Sequence, residues 1–496
     1  MILFSEISLF VAAAFAQSPV NIVVDTKAHG IVIPSDFIGL SFETASERAN
    51  YRGVHGHMFK PRNTELITLF KEMGIRNLRI GGASVDNELH TPTRRDIDLL
   101  FGFAKAAGVK VIYSLRLLRG NPYQDASIAR YVWKKYGSLL DCFTIGNEPD
   151  WHYYHINHSQ IHEASPGVLG SAYPSYFASW RHFATIIADS VPGARFAGPD
   201  AGSNYPVPGS EDTFYKGKSW TLNFAIDASK WRIPDSGSLA FVTQHNYAGQ
   251  NAQEQKLTPS EMVERMLSPV WDDSYYPMLY DATGTPVLPK GIGYRLTESN
   301  SFSGSVKNGS DCFATALFAL DYLHWWAEHH CLGINYHTTQ WKYNGTICLD
   351  SDGHYQIRPM GYGIKAFDIG GHGHVEPLTI SNSKGVNLTA YAVRQDSGLC
   401  VTLINKEYGK NASDVTADIE TPGFSGVARV MYLESHGHNI FATSGITLGG
   451  AAVSSKGSWK GKWTSVRNVG ANLYRVYVPA STAAIVKILS HSRENG

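Results

Sequence analysis

The sequence predicts an α/β fold: a (β/α)8 TIM barrel followed by a C-terminal antiparallel β-sandwich domain. Between about residues 37 and 340, short apolar runs alternate with longer segments of helical periodicity, a pattern typical of βαβ units. Eight such runs favour a closed barrel over an open, doubly wound sheet. The runs are Phe37–Glu43, Asn77–Gly82, Lys110–Arg116, Cys142–Glu148, Arg195–Asp200, Leu239–Tyr247, Tyr294–Ser299 and Leu332–Thr338.

The segments between these runs are predicted to be helices. In Asp311–His329, apolar side chains recur at three- and four-residue steps, which indicates one apolar stripe on a helix. The other helical segments of this kind are Thr64–Met73, Arg94–Ala107, Tyr173–Asp189 and Ser260–Leu267.

The texture of the sequence changes near Phe367. Beyond it, helical periodicity gives way to strand-like runs separated by Gly, Ser and Asn, which predicts the β-sandwich. We therefore expect a catalytic barrel over residues 37–366 and a β domain over 367–496. Residues 17–36 contain the strand-like run Val20–Asp25, which is expected to join the β domain.

The N-terminus predicts secretion. The apolar stretch Ile7–Phe15 ends in a small-x-small pattern at Ala14 and Ala16, so residues 1–16 are expected to be a signal peptide. Five sequons predict N-glycans at some of their asparagines, as on an extracellular protein: Asn157, Asn308, Asn344, Asn387 and Asn411. An odd count of five cysteines leaves at least one free thiol. Cys142 is expected to be a packed thiol, and any disulfide would join two of Cys312, Cys331, Cys348 and Cys400.

The composition narrows the class of partner. The 43 basic residues balance the 43 acidic ones and form no polybasic run, which argues against a nucleic acid or an anionic membrane. No segment beyond the leader has the 18 uninterrupted apolar residues of a membrane span. A carbohydrate is the expected partner.

Two carboxylates are the candidate catalytic groups. Glu148 ends the fourth apolar run and Glu298 lies near the end of the seventh, so both are expected at the barrel mouth. A pair of carboxylates across one sugar is the minimum equipment for glycoside cleavage. Asn147 can donate to a sugar 2-hydroxyl, and Pro149 restricts the backbone of Glu148. The chemistry requires no cofactor and no metal.

A histidine cluster follows the first carboxylate. His152, His155, His158 and His162 have the residue type of zinc ligands, but Asn157 is a sequon within the same segment and no H-E-x-x-H motif occurs. The segment is interpreted as a polar loop beside the substrate. Trp151 in the same loop is a candidate wall for the aglycone, as is Trp341.

The motif Gly146–Pro149, with a Glu closing the seventh run, resembles the pattern of the retaining glycosidase clan built on (β/α)8 barrels. Within that clan the chain resembles glycoside hydrolase family 79, the β-glucuronidases and heparanase. The resemblance covers nearly the whole mature chain. It is carried further by Phe37–Glu43, Leu78–Gly82, Gln244–Tyr247, Ile334–His337 and the later β domain.

The resemblance implies roles for individual residues. Glu148 would be the acid/base and Glu298 the nucleophile, Glu43 would bind sugar hydroxyls, and Tyr247 would orient the nucleophile. His245 and His337 are candidate pocket residues, and a pairing of Glu43 with Arg79 is an alternative for that carboxylate.

One departure from the family bears on the substrate. Members that bind glucuronic acid tend to place a Tyr and glycine amides shortly after the nucleophile, whereas this chain has Ser303 and Gly304 there. Tyr336, Tyr343 and Tyr355 are candidate replacements for that phenol.

The sequence thus predicts a secreted retaining exo-β-glycosidase, first of all a β-glucuronidase acting on terminal glucuronic or 4-O-methylglucuronic acid. Three alternatives stay open at this point. They are an exo-enzyme for an uncharged pyranoside, an endo-acting enzyme on acidic glycans, and a barrel that binds carbohydrate without cleaving it.

Overall fold

A closed barrel of eight parallel strands forms the first part of the chain, as predicted. The computed structural model describes residues 19–28, 30–88, 91–151, 172–202, 214–215, 218–339, 343–382 and 385–489. Each barrel strand pairs with the next along the chain, and the eighth pairs with the first. The strands are β1 Ile38–Glu43, β2 Asn77–Gly81, β3 Lys110–Leu115, β4 Leu140–Ile145, β5 Arg195–Ala201, β6 Ser238–Tyr247, β7 Tyr294–Asn300 and β8 Ile334–His337.

Helices follow the strands and cover the barrel. The helix Arg94–Ala107 shows how the sequence sets their ends: Thr93 and Asp96 form a capping box, and Gly108 ends the helix with a positive φ of 77°. The other α-helices are Thr64–Glu72, Ser84–Asn87, Pro122–Tyr136, Ala172–Ser190, Trp220–Lys230, Pro259–Met266, Tyr276–Val287, Ala314–Glu328 and Pro359–Gly370.

The helix Ala314–Glu328 differs from its prediction. The sequence indicates one apolar stripe, but every residue from Ala314 to Ala327 is buried. The β domain covers the face that would otherwise meet solvent: the Thr389 and Tyr391 hydroxyls donate to Asp321 at 2.6 and 2.8 Å. A helix that lies between two layers is buried on all sides. Its polar residues are tolerated there when they have hydrogen-bond partners within the protein.

The β domain consists of two antiparallel-rich sheets, as predicted. One sheet contains Leu378–Ser381, Val20–Val24, Val415–Glu420, Leu473–Val478 and Arg467–Gly470 in that spatial order. The other contains His374–Glu376, Leu388–Gln395, Gly398–Asn405, Thr482–Leu489, Ala428–Ser435 and Ile446–Leu448, with Thr464–Ser465 at its side. Two-stranded hairpins are formed by Phe214–Tyr215 with Lys218–Ser219, and by Ile347–Leu349 with Tyr355–Ile357.

The ends of the domains are interleaved. Val20–Val24 pairs antiparallel with Leu378–Ser381 and parallel with Val415–Glu420, so this strand belongs to the β domain although it precedes the barrel in the sequence. The expected boundary near residue 367 falls inside the helix Pro359–Gly370, and the first strand of the β domain is His374–Glu376. The expected signal peptide, residues 1–16, lies outside the described residues.

All five cysteines are free thiols, so no pair among Cys312, Cys331, Cys348 and Cys400 forms the disulfide that the sequence left open. Cys142 is buried within β4, as expected. Within the described ranges, no helix is both long and apolar enough to cross a bilayer.

The sequons differ in their surroundings. Asn308 and Asn411 are exposed, whereas Asn344 is buried and its amide nitrogen donates to the Phe302 carbonyl at 2.9 Å. The amide nitrogen of Asn387 donates to the Leu267 carbonyl at 2.6 Å. A glycan on either of these two nitrogens would break the contact, while Asn157 lies outside the described residues.

Candidate active site

The two candidate carboxylates reach the barrel mouth on locally irregular backbone. Glu148 has a positive φ of 43°, which is uncommon for a residue other than glycine, and its N–H donates to the Asp200 carbonyl at 2.9 Å. Glu298 follows a register shift in β7 between Leu296 and Glu298. Irregular positions of both kinds re-aim a side chain and cluster at functional sites.

The two carboxylates face each other. One oxygen of Glu148, one of Glu298 and one ring nitrogen of His245 all lie within 4.8 Å of one another. Glu298 is buried, and the Glu148 side chain is 26% exposed. A separation of about 5 Å between two carboxyl groups suits a nucleophile and an acid/base, whereas a water attack needs about 6.5–9.5 Å.

Glu298 is held as an anion. Its Oε2 accepts from the Arg79 guanidinium at 2.6 Å and its Oε1 accepts from the Tyr247 hydroxyl at 2.7 Å. Burial alone would raise the pKa of the Glu298 carboxyl group, but the neighbouring cationic groups and the Tyr247 hydrogen bond lower it well below its usual value. An ionised, desolvated carboxylate is what nucleophilic attack requires.

Arg79 connects the groups of the mouth from below. Fully buried on β2, it donates to Asn147 Oδ1 at 2.8 Å, to Asp200 Oδ2 at 3.0 Å and to Ser41 Oγ at 3.1 Å, besides its bond to Glu298. Burial alone would lower the pKa of the guanidinium, but the two carboxylates raise it. The expected alternative pairing of Arg79 with Glu43 is wrong, because these four acceptors take its place.

His245 lies between two carboxylates. Its Nδ1 is 3.0 Å from Glu148 Oε1 and its Nε2 is 3.7 Å from Asp200 Oδ1. Burial alone would lower the pKa of His245, but the three surrounding carboxylates raise it to about 9. This position between two carboxylates favours the imidazolium form of the ring at neutral pH.

Asn147 and Glu43 are each fixed by a second partner. The Asn147 side-chain oxygen is bound by Arg79, which turns the amide nitrogen the other way, and the Asn147 N–H donates to Asp86 Oδ2 at 2.9 Å. Glu43 Oε2 accepts from the Ser84 N–H at 2.8 Å. A Cβ on Gly82, whose φ is 71°, would lie 2.6 Å from that same oxygen, so the position requires glycine.

His337 links two of the predicted site residues. Its Nε2 is 3.7 Å from Glu43 Oε1 and its Nδ1 is 3.7 Å from Glu298 Oε2. The structure thus brings together Glu43, Asn147, Glu148, His245, Tyr247, Glu298 and His337 at one mouth.

Three predicted site residues are not brought to these carboxylates. Tyr336 is fully buried and its hydroxyl donates to the Ala319 carbonyl at 3.1 Å, so the side chain points at the surrounding helices. Successive side chains of a strand point to opposite faces, and His337 takes the inner face. Ser303 and Gly304 contact the loop after β6: the Ser303 N–H donates to the Gln250 carbonyl at 2.9 Å, and Gly304 bridges Asn251.

Trp151 lies beside the acid/base candidate. It is 50% exposed, and a Cβ on Gly202 would lie 2.7 Å from its indole and 2.8 Å from the Glu148 carboxyl carbon. Gly202 therefore leaves the space in which both side chains pack. His152, His155, His158, His162 and Trp341 lie outside the described residues.

Glu148, His245 and Glu298 are near enough to one another for three ligands of a metal ion. However, both oxygens of Glu298 already accept from Arg79 and Tyr247, and a cation there would lie beside the guanidinium. The donor set suits proton and glycosyl transfer better than it suits a metal.

Two residues of the mouth were missed in the sequence. Asp200 stands in the sequence only as the end of the fifth run, although a carboxylate at a strand end is the same signal that predicts Glu148. Asp86 follows β2 in a short helix and accepts from the N–H groups of Leu117, Leu118 and Asn147 at 2.8–2.9 Å. No local pattern marks such a residue, because its three partners come from two other loops.

Comparison with known proteins bears on both domains. Residues 390–485 match the family model described as the glycosyl hydrolase family 79 C-terminal beta domain. No curated protein sequence matches the chain.

Solved structures of similar fold cover nearly the whole chain. A 4-O-α-L-rhamnosyl-β-D-glucuronidase from Fusarium oxysporum 12S is 16% identical, with a TM-score of 0.69 over 94% of this chain and 100% of that chain. A GH51 arabinofuranosidase from Xanthomonas axonopodis pv. citri is 13% identical, with a TM-score of 0.66 over 95% and 100%. A GH family 44 xyloglucanase from Paenibacillus polymyxa is 12% identical, with a TM-score of 0.60 over 95% and 100%. At these identities the likeness shows the fold.

Proposed function

We propose that this glycoside hydrolase, whose resemblance to family 79 is confirmed by its C-terminal domain, is a secreted retaining exo-β-glucuronidase. It would release terminal glucuronic acid or 4-O-methylglucuronic acid from a glycoside or polysaccharide end. The observation that carries the proposal is the approach of Glu148 and Glu298 to within 4.8 Å across the barrel mouth.

The reaction would run in two displacements. In the first, a Glu298 oxygen attacks the anomeric carbon while Glu148 gives its proton to the leaving oxygen, so that one C–O bond forms as the other breaks. In the second, ionised Glu148 takes a proton from water, the water oxygen attacks the anomeric carbon, and the bond to Glu298 breaks. Each carboxylate returns to its starting state.

The surrounding residues fit these two roles. Glu298 is ionised and desolvated by its partners, whereas Glu148 is partly exposed and can exchange protons with water. The Asn147 amide nitrogen, turned away from Arg79, would donate to the sugar 2-hydroxyl. Glu43 and His337 would bind the other hydroxyls, and Trp151 would stack on the aglycone.

Two arginines lie near Glu43, where an acidic sugar would need a cationic partner. Arg48 and Arg52 lie 4.8 and 5.6 Å from the ring centre of Tyr51, and Tyr51 is close enough for Glu43 to affect it. Burial first, and then the Glu43 charge, raises the pKa of Tyr51 to about 12. Arg48 also pairs with Glu88 at 2.8 Å, so a sugar carboxylate would compete with Glu88 for this guanidinium.

An uncharged pyranoside is the second candidate. It is favoured by the loop after β7, where Ser303 and Gly304 stand in place of the phenol of the glucuronidases and contact another loop. A panel of aryl β-glucuronide, 4-O-methylglucuronide, glucoside and xyloside decides between the two, with the highest kcat/KM expected for a glucuronide.

The mechanism is tested by trapping. We expect an aryl 2-deoxy-2-fluoro-β-glucuronide to inactivate the enzyme and to add one glycosyl mass to the peptide that contains Glu298. Glu298→Gln should abolish the labelling and lower kcat by roughly 10⁴-fold or more. Glu148→Ala should keep turnover of substrates with good leaving groups, and azide should rescue it. Labelling of another carboxylate, or release of the inverted anomer, would refute the assignment.

A further inference from the structure

Asp200 is a buried carboxylate to which the two-displacement reaction gives no task. It lies at the end of β5, is 1% exposed, and has a positive φ of 56°. Strained backbone persists only where the surrounding structure holds it, and it clusters at functional sites. The carboxylate is therefore held in place for a reason other than packing.

The contacts of Asp200 join the two catalytic groups. Its Oδ2 accepts from Arg79 at 3.0 Å, and Arg79 also binds the nucleophile Glu298. Its Oδ1 accepts from Thr297 Oγ1 at 2.6 Å and lies 3.7 Å from His245 Nε2, and His245 also binds Glu148. The other hydrogen-bonding contacts are made by its backbone, with Thr243 and Glu148.

Asp200 offsets positive charge beside the catalytic pair. Two cations, Arg79 and His245, face three carboxylates, which are Asp200, Glu298 and Glu148. His337 lies at 3.7 Å from Glu298 on the far side. Glu43 lies 3.7 Å from His337 at the same mouth. If Glu298 and Asp200 are ionised, they offset the Arg79 and His245 cations, and Glu148 can carry a proton without leaving unpaired positive charge beside it.

We propose that Asp200 is a positioning residue of the reaction: it offsets the Arg79 and His245 cations, so that Glu148 keeps the proton it gives to the leaving group while Glu298 stays ionised. The inference rests on the proposed retaining mechanism. Asp200 itself need not touch the sugar. Its own pKa is lowered because its cationic partners and hydrogen bonds outweigh the effect of burial, which alone would raise it.

Without this carboxylate, the same two cations would act on the catalytic pair alone. Uncompensated positive charge would then stabilise the ionised form of Glu148, so the variant should lose activity at a lower pH than the wild type. Arg79 would then have Glu298 as its one carboxylate partner, and the stronger pairing would make Glu298 a weaker nucleophile. The measured quantity is the basic limb of the pH profile, which reports on the interacting groups of the site together.

The variant Asp200→Asn tests the proposal, since it keeps the shape and removes the charge. We expect the basic limb of kcat/KM to move to lower pH by about one unit or more. Turnover of an alkyl β-glycoside, which needs the proton, should fall by about 100-fold or more, and that of a 2,4-dinitrophenyl β-glycoside by about tenfold or less. Equal losses for both substrates with an unchanged pH profile would overturn the proposal.

Two further measurements keep the test decisive. Trapping of Glu298 in the wild-type enzyme by the 2-fluoro glycoside tests the proposed mechanism without the Asp200 variant. If no trapping occurs, the mechanism itself is refuted, and not only the role of Asp200. If Asp200→Asn does not fold, ¹⁵N NMR of histidine-labelled wild-type enzyme decides, with His245→Gln assigning the signal. A His245 ring that is an imidazolium at pH 7 supports the proposal, and a neutral ring overturns it.

Discussion

Two arginines are buried inside the barrel, one at each end, and their partners differ. Arg79 at the mouth is fully buried and binds two carboxylates, Glu298 and Asp200. Arg295 at the floor is 1% exposed and donates to neutral oxygens: Asn335 Oδ1 at 2.8 Å and the carbonyls of Asp36 and Leu332 at 2.9 and 3.1 Å. The carboxylate of Asp36 is partly exposed and lies farther from Arg295, at 3.6 Å.

The two sets of partners give the two arginines different roles, one in catalysis and one in stability. At the mouth, Arg79 pairs with two carboxylates that are buried away from water. Burying these anions without a cationic partner would be unfavourable, and the pairing keeps them ionised. At the floor, a similar guanidinium satisfies acceptors that would otherwise be buried without donors. The polar contacts continue there through Asn335, whose amide nitrogen donates to Asn77 Oδ1 at 2.8 Å. The same residue type thus serves catalysis at one end and stability at the other.

The sharpest way to break this comparison is to remove each guanidinium in turn. Arg79→Met should lower kcat by about 10³-fold or more and lower the free energy of unfolding by about 3–5 kcal/mol at pH 7. Glu298 and Asp200 have lowered pKa values, so the stability they contribute is present above their unfolded pKa values and is lost as pH falls. The deficit of Arg79→Met should therefore shrink below about pH 4.5.

Arg295→Met is the matched control. This variant leaves buried carbonyl oxygens without a hydrogen-bond donor, which should lower the free energy of unfolding by about 1–3 kcal/mol for each unsatisfied group. The loss should not depend on pH between about 5 and 8. Folded Arg295→Met should keep kcat within a few-fold of wild type. Denaturant titrations at several pH values, with kcat measured on the folded fraction, separate the two. An equal loss of kcat in both folded variants would contradict the comparison.

The sequence predicted the ends of the strands better than it predicted the partners across the barrel. Apolar runs that stop at a polar residue placed Glu148 and Glu298 at one mouth, because parallel strands of a barrel all end on the same side. The alternative that paired Glu43 with Arg79, its neighbour on the adjacent strand, is wrong. The observed partner, Glu298, lies 219 residues away in the chain, and no periodicity records a contact across the barrel.

The prediction that Tyr336 lies in the substrate pocket conflicts with the geometry of its strand. A strand alternates its faces, so a choice of His337 for the pocket already places Tyr336 outside it. Asp200 shows the opposite error, since it satisfied the strand-end rule and was passed over. The irregular backbone at Glu148 and at the register shift before Glu298 depends on three-dimensional contacts and leaves no period in the sequence.

A pair of glycines sharpens the comparison at the level of the backbone. A Cβ on Gly202 at the mouth would lie 2.8 Å from the Glu148 carboxyl carbon, and a Cβ on Gly39 at the floor would lie 2.4 Å from Asn335 Nδ2. Gly202→Ala should displace the acid/base and lower kcat by about 10–100-fold, since a shift near 1 Å can have that effect. Its stability should change little, because half-exposed Trp151 can move.

Gly39→Ala should give the reverse pattern. The floor is packed on all sides, so the extra methyl group should lower the free energy of unfolding by about 1–3 kcal/mol and leave kcat of the folded enzyme nearly unchanged. Steady-state kinetics and urea titrations of both variants provide the test. A larger loss of kcat in Gly39→Ala than in Gly202→Ala would show that floor and mouth are not separate in function.

The smallest expected effect concerns the second cation of the mouth. Because the pKa of His245 is raised to about 9, protonated His245 contributes stability that is complete below its unfolded pKa of about 6.5 and is lost as pH rises towards 9. At about 1.4 kcal/mol per pKa unit, the pH-dependent part is about 3 kcal/mol. The difference in unfolding free energy between wild type and His245→Gln should be largest at pH 6 and shrink by about that amount at pH 9. Denaturant titrations across this range measure it, and the difference for Gly39→Ala should stay constant over the same range. A His245→Gln deficit that is independent of pH would mean that the ring is neutral in the folded enzyme. Of Arg79 and His245, the two groups treated as cations on the described strands β2 and β6, only Arg79 would then be charged.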